Sequence, residues 1–126
     1  MIDNLIESIG EAVVTEMTAK FYEQVVSDDI LGPMYKAAGD FAGAEERLRD
    51  FLLFRLGGPT TYLEKRGHPA LRMRHAPFAI DQQARDRWIL LMDRAIDDAN
   101  LPEESAALLR EFFAHVATFV INSPRS

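Results

Sequence analysis

Four apolar stripes at helical spacing, with no sustained period-two alternation anywhere, restrict this chain to an all-α fold. Val14, Met17, Phe21 and Val25 form the first stripe, followed by the Ser27-Asp28-Asp29 turn signal and closed off by Pro33. Ala44, Leu48, Phe51, Leu52 and Leu56 form the second, ended by Gly57-Gly58-Pro59. Trp88, Leu91, Met92, Ala95, Ile96 and Ala99 form the third, stopped at Asn100-Leu101-Pro102. Leu108, Leu109, Phe112, Val116, Phe119 and Val120 form the fourth, before Pro124. Each stripe is a face that must be buried against another helix. The chain has 126 residues, enough to bury the core of one domain spanning 1–126 and too few for two.

Composition removes several functions. The formal net charge of −6 argues against nucleic acid as a partner, because phosphate binding calls for a basic surface. The absence of cysteine excludes disulfides, iron–sulfur clusters and thiolate zinc sites. Acidic residues in Met1-Ile2-Asp3-Asn4-Leu5-Ile6-Glu7 are unlike the basic start of a signal peptide. The longest apolar runs, Trp88–Met92 and Val116–Ile121, are far too short to cross a membrane. The expected setting is the cytoplasm, with no membrane partner. Inward-facing Glu-x-x-His pairs of the kind that build metal sites in helical bundles are also missing.

Residues 57–80 are the unusual part. They make a long connection rich in glycine and proline, yet they carry Tyr62, Leu71, Met73, Phe78 and Ile80, too apolar for a free linker. Two of the chain's three histidines, His68 and His75, lie here. A neutral imidazole facing an apolar cavity is a good ligand for iron, its second nitrogen oriented by a backbone carbonyl. The other reading is a surface-loop histidine. His68 is held extended by Pro69 and serves equally as a turn residue. His115 is expected to fill the core or its edge, and Glu45 and Glu46 to form an exposed helix face.

The Gly57-Gly58-Pro59 break, Tyr62, Arg66-Gly67-His68-Pro69, Leu71-Arg72-Met73-Arg74-His75, Pro77-Phe78 with Ile80, and Arg85-Asp86-Arg87-Trp88 together resemble the truncated haemoglobin family, group II. Upstream, Lys20-Phe21-Tyr22-Glu23-Gln24-Val25 and Ala42-Gly43-Ala44-Glu45-Glu46-Arg47-Leu48 match as well, so the resemblance covers nearly the whole chain. It implies a two-over-two helical sandwich, a shortened globin fold around haem b (iron protoporphyrin IX).

The resemblance assigns roles residue by residue. His75 matches the iron ligand, and Ala44 and Leu48, four apart on one helix face, lie over the iron. Ala44 cannot donate a hydrogen bond, so donors must come from Tyr22 and Trp88, which match the family's distal pair. Taken alone, Trp88 reads as core and Tyr22 as a core-edge residue. Tyr35 and Phe41 compete for a further distal aromatic place in the loop Tyr35-Lys36-Ala37-Ala38-Gly39-Asp40-Phe41, with Tyr35 preferred. Phe51, Tyr62, Leu71, Phe78, Ile80 and Met92 are expected against the haem. Arg47, Arg66, His68, Arg72 and Arg74 are propionate candidates, with solvated loop charge as the alternative for the arginines. Gly10 stands alone where relatives often have two glycines, and Leu56 replaces a frequent aromatic.

The implied function is binding of O2, CO, NO or peroxide at a five-coordinate, histidine-ligated iron, for oxygen transport or storage. Two donors fixed in a dry pocket stabilise bound oxygen and slow its release. Nitric oxide dioxygenase or peroxidase-type turnover would need a separate reductase, because the chain has no glycine motif for flavin or nicotinamide. A homodimer is compatible with the sequence. The alternative from another class is a cofactor-free helical interaction module, for which the stripes are core and His75 is inert.

Overall fold

The computed structural model describes residues 2–39, 41–60, 64–65, 67 and 80–121, without the side chains of residues 38, 41 and 42. A 3-10 turn at Ile2–Asn4 leads into α1 (Ile6–Ile9). Then come α2 (Glu11–Ser27), α3 (Leu31–Ala38) and α4 (Phe41–Arg55). After the long connection, α5 (Gln82–Asp98) and α6 (Glu103–Phe119) complete the chain. No strand occurs among the described residues, and no helix of these residues is long and apolar enough to cross a membrane.

Local chemistry sets the helix ends. Gly10 adopts φ 85° between α1 and α2, where a side chain would be strained. Asp28 Oδ2 accepts the Ile30 and Leu31 N–H groups at 3.0 and 2.8 Å, which opens α3. Pro33 lies inside α3 instead of closing the preceding segment. In the first turn a missing N–H costs nothing, so the proline is tolerated there. Tyr35 is accordingly helical and not on a loop, and Gly39 ends the helix in the left-handed conformation. Asp81 caps α5 by accepting the Ala84 N–H at 2.8 Å.

Helix α2 is the hub. It packs on α4 to one side and on α5 to the other, while α6 packs on α5 and short α3 bridges α4 and α5. Val14, Met17, Phe21 and Val25 are completely enclosed, joined by Leu52 from α4, Leu56 just past its end, Met92 and Ala95 from α5 and Leu109 from α6. At about 1.5–3 kcal/mol for each large apolar side chain buried, this face supplies most of the driving force for folding. Thr18 joins it by donating its hydroxyl to Val14 O at 2.8 Å. The last helix is rotated from the expected stripe: Leu109, Phe113, Ala117 and Val120 point inward, whereas Phe119 is exposed. His115 is exposed too, a correction to its expected place at the core or its edge.

At the far end of α4 the chain folds back on its own start. Ile6 N–H donates to Leu56 O at 2.9 Å, and Arg55 meets Asp3 at 2.7 Å. Gly57 has φ 94°, and a Cβ there would lie 2.3 Å from Asp3 O, so only glycine fits.

Candidate functional site

The hydrogen-bonding aromatic residues cluster where α2, α3 and α5 meet. Tyr22 follows Phe21 on α2 and turns toward α3, bringing its ring to Tyr35 edge-on, 5.5 Å between centroids at 89°. Phe21 acts as a wedge, 5.0 Å from Tyr22 and 4.8 Å from the Trp88 ring of α5. Behind Trp88 stands Phe113 of α6 at 5.4 Å. Edge-to-face and tilted contacts of this kind fix ring orientation as well as burying area.

Two protons converge on one oxygen. The Trp88 indole N–H can only donate, and it donates to the Tyr35 phenol oxygen. The Tyr22 hydroxyl donates to the same oxygen. Burial pushes the Tyr22 phenol well above its usual value; the neighbouring Tyr35 and the hydrogen bond between them add to the rise. Burial also raises Tyr35, partly offset by the bonds it receives from Tyr22 and Trp88 and by the positive charge of Arg47. Both phenols therefore stay protonated across the physiological range and remain donors.

The expected donors were Tyr22 and Trp88; the structure brings Tyr35 between them as the shared acceptor. Ala44 and Leu48 lie on α4, partly buried against the same core. Phe51 is buried one turn further along and stacks on Phe112 of α6, 6.5 Å apart at 23°. Met92, one turn beyond Trp88 on α5, is fully enclosed, and Ile80 is buried just before the Asp81 cap. Arg47 is exposed, yet close enough for its charge to act on both phenols. Glu45 and Glu46 are half-buried rather than fully exposed, and Glu46 pairs with Lys65 at 3.1 Å. His75, His68, Tyr62, Leu71, Phe78, Arg66, Arg72, Arg74 and the Phe41 side chain lie outside the described residues.

These residues fit a flat macrocycle carrying a small ligand. Ala44, Leu48, Trp88 and Phe112 remain partly exposed although they pack on the core, so apolar surface is left for a planar group to cover. The three polar groups of the Tyr22–Tyr35–Trp88 cluster are neutral and protonated, which suits a ligand with partial negative charge and not a bare cation. No group of acidic or histidine side chains that could hold a metal ion by itself occurs among the described residues. Phe21 and Phe113 are parts of this site to which the sequence reading gave no site role. Phe113 had a signal, its four-residue spacing from Leu109 and Ala117; the polar links among distant residues had none.

An all-helical sandwich with a protonated phenol–indole cluster beside an apolar face defines a class of gas-binding haem proteins. The model of the bacterial-like globin family matches residues 4–122, and the chain belongs to that family, in its group II truncated haemoglobin branch. A group 2 truncated hemoglobin of Bacillus subtilis is 38% identical over 106 residues, covering 84% of this chain and 76% of that protein. The thermostable hemoglobin of the actinobacterium Thermobifida fusca is 44% identical, with a TM-score of 0.92 over 97% of this chain and 99% of that one. The structure of a truncated oxygen-avid haemoglobin from Bacillus subtilis is 34% identical, with a TM-score of 0.88 over 94% and 99%. The two-over-two globin fold follows, and with it a haem cofactor and a small gaseous ligand such as O2. Family membership removes the cofactor-free interaction module.

Proposed function

We propose that this globin would hold haem b through His75, that the iron would take O2, CO, NO or peroxide, and that O2 would be released slowly. The observation that carries the reading is the convergence of Tyr22 and Trp88 on Tyr35, while Ala44 on α4 has no side-chain donor of its own. When bound, haem supplies the iron that takes the gas.

The chain's own residues do the rest. Tyr22 and Trp88 bond to Tyr35 in one dry, preorganised unit, and that unit would meet developing negative charge with little reorganisation. Phe21 and Phe113 keep those donors aimed and exclude water. Arg47, with Arg66, His68, Arg72 and Arg74, is assigned to the propionates, where a guanidinium suits a carboxylate. Tyr62, Leu71, Phe78, Ile80, Phe51, Met92 and Leu48 are assigned to the haem faces. Slow release is supported by the oxygen-avid character named for the Bacillus subtilis structure. Such a protein suits oxidation of nitric oxide by O2 to nitrate, one electron being returned by a separate cytoplasmic reductase; peroxide reduction is the alternative turnover. A homodimer is compatible with this function and is not required by it.

The test is the visible spectrum of protein loaded with haem, ferrous and CO-bound, for wild type and His75→Ala. Expected are a Soret band that shifts with CO in the wild type and an altered or lost band in the variant. An unchanged spectrum in His75→Ala would remove His75 as the ligand.

A further inference from the structure

Asp28 and Arg87 lie outside the ligand-binding cluster, yet they touch every element that builds it. Asp28 Oδ2 accepts the Ile30 and Leu31 N–H groups and so anchors the start of α3. Its other oxygen, Oδ1, accepts from Arg87 Nη1 of α5 at 2.6 Å. Arg87 also reaches Asp29 at 2.9 Å, but that carboxylate is largely exposed, whereas the Asp28 side chain is almost completely buried. Arg87 precedes Trp88, and Tyr35 stands one helical turn after Leu31. A single carboxylate therefore ties the beginning of the helix carrying Tyr35 to the turn of the helix carrying Trp88.

A second fastening nearby shows what is special here. Gln24 donates to Leu91 O at 2.9 Å, joining α2 to α5, but it does not reach α3. Helix α3 has eight residues and packs on α2, α4 and α5, and Asp28 supplies the hydrogen bonds that fasten its first turn to Arg87 of α5. We propose that the Asp28–Arg87 pair is a positioning device that sets the Tyr35 oxygen within reach of the Trp88 indole, and so sets the rate at which bound O2 leaves. The inference rests on the proposed role of Tyr35 and Trp88 in holding the ligand. Hydrogen bonds hold the Asp28 carboxyl below its usual range although burial opposes this, which keeps the pair charged at neutral pH.

Trp88 is the only tryptophan, so the indole N–H vibration seen by ultraviolet resonance Raman reports this one bond without assignment. The experiment uses the haem-loaded ferrous protein and compares wild type, Tyr35→Phe, Asp28→Asn, Arg87→Met, Arg87→Lys and Gln24→Met. Tyr35→Phe gives the band position for the lost bond and, if the cluster holds the ligand, O2 release faster by roughly three- to ten-fold. Asp28→Asn keeps an acceptor for the start of α3 but removes the charge facing Arg87, so it isolates the pair from the cap. Asp28→Asn and Arg87→Met are expected to move the band toward the Tyr35→Phe position and to quicken O2 release, with Arg87→Lys recovering part of both. Gln24→Met is expected to lower the melting temperature and leave the band in place.

An unmoved band and unchanged release in Asp28→Asn, with Tyr35→Phe showing its effect, would overturn the positioning role; this holds even if Arg87→Met fails to fold. An equal band shift in Gln24→Met would overturn it as well, because general loosening would then suffice. Unchanged release in Tyr35→Phe itself would instead sink the reading of the cluster on which the inference stands.

Discussion

Phe21 and Tyr22 are neighbours on one helix and belong to two different interiors. Phe21 shares the apolar face of Val14, Met17 and Val25, where buried area dominates, although its ring also borders Tyr22 and Trp88. Tyr22 begins a polar aromatic interior in which each buried polar atom has a partner and the two phenol protons are held by burial. The dry side supplies stability through buried area, and the polar side spends some of it on enclosing donors that must be satisfied. Substitutions on the first should therefore unfold the protein, and substitutions on the second should alter ligand chemistry in a protein that still folds.

The largest expected effect is on the dry side. Leu109→Ala or Met17→Ala, each at a fully enclosed position, should cost roughly 2–5 kcal/mol in urea unfolding. Their O2 release at a temperature where they remain folded should match the wild type. A large change in release would show that the two interiors are not separable.

Tyr22→Phe comes next and should divide the two properties the other way. Tyr35 keeps the Trp88 N–H, so the stability change should stay near about 1 kcal/mol, while O2 release quickens by roughly three- to ten-fold in stopped-flow measurements. Alkaline pH gives a smaller effect on the same group. The unfolded chain loses phenol protons from about pH 10, while the folded chain keeps them to higher pH, so stability falls as pH rises through that window. Urea midpoints between pH 7 and 11 should show this fall, shallower in Tyr22→Phe. The smallest effect lies outside both regions: Asp3→Asn, at an exposed ion pair, should change stability by about 0.5 kcal/mol or less.

The same division explains what the sequence could reveal. Dry faces repeat at helical spacing, so Val14–Met17–Phe21–Val25 and the α4 and α5 stripes were legible directly. The last helix was read out of phase because Phe112 and Phe113 are adjacent and either can start an apolar face; the structure chooses Phe113. In sequence, Pro33 looks like a terminator although its first-turn position suits a helix, and this conceals α3 and the helical place of Tyr35. The polar interior left no periodic trace. Tyr22, Tyr35 and Trp88 come from three helices, and their meeting depends on the α2–α3 turn at Asp28 and the α5 cap at Asp81. Only the likeness to known globins placed them together beforehand, and it gave no sign that two donors share one acceptor.

That shared acceptor is the centre of the account, and a double-mutant cycle on O2 dissociation tests it most directly. Wild type, Tyr35→Phe, Trp88→Phe and the double variant would be compared by stopped flow. If the indole and the phenol act through one hydrogen-bonded unit, the double variant should release O2 little faster than the quicker single variant. A double variant whose acceleration equals the product of the two single accelerations would show independent donors and contradict the account.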